Sequence, residues 1–263
     1  MQTDPLDAAV DFARQVNLLY AALVSTAPIT ETEPSLGGRL LYAAELDPQG
    51  RVLVVAANIA GAASLVATTD HAAGKQAIRD GVVDFLVTSL DEALRILKNQ
   101  VRKRETVAVC VAAAPGAVER EMLERGVLPD LLPPATPSGP EYEKFFAQGA
   151  RSVVIALEDE CQVLLMWQVA EAPARWLPQI DAVVLESLSA DDLAARRWLR
   201  LAPRYLGRLA HGLHVLARDR QSAERLIDAI RNEVHHGSIP AVVEVFVREP
   251  GKQPERQLRL EKP

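Results

Sequence analysis

Of the 263 residues, 49% are hydrophobic, which supplies one large or two ordinary cores, yet no apolar run reaches the ~20 residues of a membrane-spanning helix. A net charge of −6, with acids and bases interleaved, excludes a broad basic surface, so neither nucleic acid nor a membrane is expected as a partner. The first residues carry no export-signal pattern and the two cysteines, Cys110 and Cys161, sit in strand-like apolar runs without a CxxC partner, so a cytoplasmic protein with two buried, reduced thiols is expected.

In chain order, Asp4 before Pro5 reads as a helix cap, and the apolar stripe Leu6, Val10, Ala13, Leu18 carries that helix to Val24. It is expected to pack on the domain or on a second copy of the chain. Ser25 to Gly38 is polar and broken by prolines and glycines, as a linker or mobile loop is. Arg39 to Ala44 is a strand, followed by the turn-forming Asp47-Pro48-Gln49-Gly50. From there Val52 to Ala57 allows two readings. Propensity makes it the second strand of a hairpin, while a βαβ unit makes Arg51 to Ala60 a helix, and periodicity does not decide for so short an apolar run.

Ser64 to Thr68 is a strand, Ala72 to Asp80 a helix stopped by Gly81, and Val82 to Val87 another apolar run. Thr88 or Ser89 caps a helix that has acids in its first turn and Lys98, Arg102, Lys103 and Arg104 near its end, as the helix dipole favours. Val107 to Ala112 is a strand, and Ala117 to Arg125 a helix stopped by Gly126. Pro133 to Pro140 is the clearest boundary.

Beyond it, Ser152 to Leu157 and Cys161 to Val169 are expected to form a hairpin around the acidic tip 158–160. Ala182 to Leu185 reads as a strand, and Ala190 to Leu206 as a helix that Pro203 breaks or kinks. Leu213 to Ala217 is a strand, Ser222 to His235 a helix capped by Ser222 and stopped by Gly237, and Ala241 to Val247 a strand. The tail after Glu249 is expected to be loosely ordered.

Strands alternating with helices point to an α/β fold, a Rossmann-like and mostly parallel sheet flanked by helices. The expected divisions are an N-terminal helix and linker (1–37), a Rossmann region (38–140), and a second, smaller α/β or α+β portion (141–263), separate or completing the same sheet. Side-chain clusters add little chemistry. His211 and His214, the pair His235-His236 and the acidic run fit no metal-ligand spacing, and the serines lack a nucleophile elbow. Trp167, Trp176 and Trp198 read as core or interface anchors.

Several separated motifs share one frame: Ala60-Gly61-Ala62-Ala63-Ser64-Leu65, Asp84, Leu90-Asp91-Glu92-Ala93-Leu94, and Glu124-Arg125-Gly126-Val127-Leu128-Pro129-Asp130. In these, Gly38 to Leu132 resembles the NAD-binding domain of urocanase, the hydratase of histidine breakdown. The resemblance favours the βαβ reading of Arg51 to Ala60. It implies NAD held by a glycine-rich loop whose bare backbone lets a pyrophosphate approach a helix N-terminus, and an acid after the second strand for the ribose.

At those positions this sequence has Glu45-Leu46-Asp47-Pro48-Gln49-Gly50-Arg51, with Gly50 kept, and Thr68 in place of the acid, with Asp70 two residues on as its substitute. The family's glycine-asparagine loop corresponds to Ala113-Ala114-Pro115-Gly116. Its histidine-containing segment corresponds to residues 133–139, where Thr136 alone keeps its type. Gly50, Thr68, Asp70 and Thr136 are thus the candidate cofactor-binding residues. With the packing motifs kept and these loops altered, the expectation is a homodimeric urocanase-like binding or interaction protein without a cofactor. The alternative is an NAD- or nucleotide-binding lyase or hydratase acting on a small organic acid.

Overall fold

The computed structural model describes residues 5–27, 34–134, 140–155, 162–249 and 256–261. The chain divides into two compact units, Leu18–Ala156 and the stretches Met1–Asn17 plus Leu157–Pro263. It opens with helix α1 (Pro5–Ser25).

The unit of Leu18–Ala156 alternates strand and helix throughout: β1 (Leu40–Glu45), α2 (Pro48–Ala60), β2 (Ala63–Ala67), α3 (His71–Arg79), β3 (Phe85–Val87), α4 (Leu90–Lys103), β4 (Val107–Val111), α5 (Pro115–Glu124), β5 (Leu131–Leu132), α6 (Pro140–Ala147) and β6 (Arg151–Ser152). Its six strands lie in the order β3-β4-β2-β1-β5-β6, every neighbouring pair parallel. Every residue of β2 and β4 is buried, as parallel strands covered on both faces must be. One face packs Tyr42, Leu65, Val109 and Leu132 against Leu97 of α4, Met122 of α5 and Phe145 of α6.

Residues 51–60 are helical, as the βαβ reading has it. Propensity misleads here because α2 is buried along its whole length after Arg51, so its valines and alanines show no polar face from which a helical period could be read. Gly61 ends it at φ 92°, a left-handed conformation that glycine adopts without strain. Ser89, not Thr88, caps α4; Glu92 reaches back to the Thr88 N–H at 3.0 Å.

The other unit contains β7 (Gln162–Val169), α7 (Pro173–Ser187), α8 (Leu193–Leu206), β8 (His214–Asp219), α9 (Arg220–His235), β9 (Val243–Arg248) and β10 (Arg256–Leu260). Its separate sheet is antiparallel, in the order β10-β9-β7-β8. Several local expectations change here. Ser152 belongs to β6 and runs parallel to β5, while β7 pairs with β8 and β9, so the two runs form no hairpin; residues 158–160 and Cys161 lie outside the described residues. Residues 182–185 lie inside α7, whose buried Leu177, Ile180 and Val184 recur at helical spacing. Pro203 does not break helix α8, which continues to Leu206. The tail supplies β10, because residues 256–260 pair in register with β9.

Candidate functional site at the carboxyl ends of the parallel strands

Ligands of open α/β sheets bind beyond the carboxyl ends of the strands, where β1 and β2 end side by side. The left-handed Ala44, at φ 60°, and a shift in register between Tyr42 and Glu45 turn the end of β1 toward the start of α2. There Gly50 presses on the backbone: a Cβ at this position would stand 1.9 Å from the Glu45 carbonyl oxygen. A glycine is required for packing alone. The N–H of Gly50, one of the donors a helix N-terminus offers to an anion, already donates to Oδ1 of Asp47 at 2.7 Å. Pro48 has no N–H to offer. Glu45 and Asp47 are exposed, Leu46 is buried with its N–H donating to the Ala67 carbonyl at 2.8 Å, and Arg51 turns to Asp80 at 2.6 Å.

The next strand end is equally self-contained. Thr68 is buried, and its Oγ1 accepts the N–H of Asp70 at 3.1 Å. Asp70 in turn caps α3, its Oδ1 accepting the N–H groups of Ala72 and Ala73 at 2.8 and 3.1 Å. Gly50 and Thr68 are therefore brought to the same end of neighbouring strands, with Asp70 just beyond. Thr136 lies outside the described residues. At the end of β4, α5 starts at Pro115 after Ala114, with no side-chain cap and open space around Gly116.

Behind the α5 start lies a buried cluster that the sequence gives no hint of. Glu119 Oε1 accepts the hydroxyls of Tyr42 and Tyr142 at 3.1 and 3.2 Å. Burial, reinforced by the Glu119 charge, pushes both phenols far above their usual titration range. The three residues come from β1, α5 and α6, and only the fold assembles them. Cys110 in β4 is a buried free thiol, pushed up to about 12 by burial, and is inert at neutral pH.

In the antiparallel unit, Nδ1 of His214 lies 2.8 Å from Oδ1 of Asp181, which also accepts the Trp167 indole N–H at 3.0 Å. Trp167 and Trp198 are buried core residues. Among the described residues no three of His, Cys, Asp and Glu gather as metal ligands would.

The motifs shared along the parallel unit have structural duties. Gly61 ends α2, and Asp84 accepts the Ala108 N–H at 2.8 Å, extending the β3–β4 ladder. Arg125 pairs with Asp91, linking α5 to α4 and holding the Asp91 carboxyl below the usual carboxylate range. Asp130 accepts the Leu40 N–H at 2.8 Å and Arg39 at 2.7 Å, bracing β1 beside β5. The family model described as the urocanase Rossmann-like domain matches residues 20–152, half of the chain. The chain belongs to the urocanase family. The match extends the frame of the shared motifs through α6 and β6, so the family relationship covers the whole parallel sheet of this urocanase-family chain.

Proposed function

We propose that this urocanase-family chain keeps the Rossmann-like scaffold without the family's NAD-dependent hydration, and serves as a binding or interaction protein. The observation that carries this reading is the Asp47 carboxylate on the Gly50 N–H, at the helix start where the family relationship puts a pyrophosphate. A dinucleotide does not fit these residues. The donor is engaged, Pro48 supplies none, and two exposed carboxylates would repel the phosphates. Thr68 and Asp70, the residues left for a ribose, bond to each other and to α3.

Calorimetric titration of the whole chain with NAD tests the reading. No saturable heat is expected at millimolar NAD, and micromolar affinity would overturn it.

A second reading, a lyase or hydratase acting on a small organic acid, draws support from the uncapped start of α5. Loss of urocanate absorbance on incubation with the protein and NAD would favour it over the first.

A further inference from the structure

The antiparallel unit has a cleft of about 570 Å³ formed within residues 162–226. That lies in the range of roughly 300–1,000 Å³ typical of small-molecule sites. We propose that this cleft is an oxyanion site, in which Arg218 and Arg225 hold the carboxylate or phosphate of a small ligand. This site is independent of NAD binding.

The cleft is lined by the start of β7, the end of β8, the connection from α7 to α8 and the first turns of α9, with Ser189, Asp192, Arg218, Asp219, Ser222 and Arg225 among its polar groups. By formal charge the two arginines and two aspartates cancel. Their hydrogen bonds do not.

Each carboxylate is engaged with a helix: Asp192 Oδ1 accepts the Ala195 N–H of α8 at 3.1 Å, and Asp219 Oδ1 accepts the Ser222 N–H of α9 at 2.8 Å. The Ser222 hydroxyl, together with that N–H, lowers the Asp219 carboxyl, so it stays ionised as a cap. Arg218 is treated differently. Its Nε and Nη2, the edge a guanidinium uses to grip two oxygens at once, are out of contact with solvent and make no hydrogen bond. Nη2 stands 2.7 Å from Asp192 Oδ2, close enough for charge attraction but not aligned as a bond. A buried donor without an acceptor is costly, and an oxyanion toward which the Arg218 head turns from Asp192 into the cleft supplies one.

The neighbouring groups extend the donor set. Arg225 gives one bond to Ser222 Oγ at 2.9 Å, using only part of its five-donor fork. The Ser189 hydroxyl accepts the Asp191 N–H at 3.4 Å and keeps its own hydrogen to donate, whereas the Ser222 hydroxyl is engaged by Arg225 and Asp219. Helices α8 and α9, of 14 and 16 residues, both begin at the cleft and add the positive ends of their dipoles.

The test titrates the intact chain with inorganic phosphate and, separately, with malonate, following binding by calorimetry and by amide chemical shifts. Saturable binding is expected, at least tenfold weaker in Arg225→Gln. In Asp192→Asn it is expected to be severalfold tighter, because asparagine still caps α8 while the competing charge is gone. Both variants leave the buried Arg218 in place and so avoid the folding risk of replacing it. Preference for phosphate assigns a phosphorylated ligand, and preference for malonate a carboxylic acid. Absence of binding by either anion, or affinity unchanged in both variants, would overturn the proposal and leave Asp192 as the whole partner of Arg218.

Discussion

At the end of β1 the Asp47 carboxylate folds back onto the helix it precedes and Gly50 lies against the strand it follows, whereas at the end of β8 the Arg218 guanidinium keeps two donors without acceptors. Both places join a strand to a helix through an aspartate cap, Asp47 for α2 and Asp219 for α9. One uses up its polar groups internally, and the other leaves some for a ligand. Ancestry and this chemistry thus fall in different halves of the chain: family membership is carried by a sheet whose β1 and β2 ends are closed by their own side chains, and the buried arginine donors without acceptors lie outside the matched residues 20–152.

The contrast is broken most severely at Gly50. Gly50→Ala sets a methyl against the backbone oxygen of Glu45, which cannot rotate away, and is expected to cost about 3 kcal/mol by forced displacement of α2. Urea denaturation measures it. An unchanged midpoint would mean that the end of β1 is loosely packed and able to open for a ligand.

A smaller effect lies behind the same strand. Tyr42 and Tyr142 stay protonated in the folded chain well above ~10, where tyrosines of the unfolded chain ionise. Their raised values therefore leave stability complete below pH ~10 and erode it as the pH rises further, by up to about 1.4 kcal/mol per pH unit for each phenol. Denaturation curves between pH 9 and 11 read the slope, and Tyr42→Phe is expected to halve it. A flat alkaline limb would show that the Tyr42–Glu119–Tyr142 cluster admits water.

Least costly is Asp47→Ala, which removes one cap and is expected to lose about 1 kcal/mol, most of it restored in Asp47→Ser. If this variant gained affinity for phosphate, the β1 loop would be a latent anion site and the contrast with the cleft would narrow.

Much of this architecture can be read in the sequence, for reasons that are local. The buried runs at 64–68 and 107–112 are continuous apolar segments between helix signals, and glycine stops at 81, 126 and 237 sit where the backbone takes positive φ. Elements whose signals depend on distant partners read poorly. Residues 182–185 look like a strand until Leu177 and Ile180 show the helical face they continue, and 256–260 looks like a tail until β9 offers its edge.

The candidate site divides in the same way. Altered residues in the β1 loop are visible in sequence, but what Gly50 packs against is not, since its requirement comes from a carbonyl five residues earlier in the chain and a bend at Ala44. Glu119 meets Tyr42 across 77 residues, and no spacing rule anticipates that pair. Ser222 has the composition of a cap for α9, yet Asp219 takes the role, leaving the serine in the cleft wall.

The taper of the parallel sheet has a consequence for solubility. Its central strands β1, β2 and β4 run to five or six residues, whereas β5 and the marginal β6 have two each and the opposite margin, β3, has three. A strand edge this short offers an incoming chain too few ladder hydrogen bonds to dock, and natural sheets use such margins to discourage edge-to-edge association. The partly exposed Phe85 on β3 can therefore face solvent without inviting fibril-like growth. The sheet limits its own width.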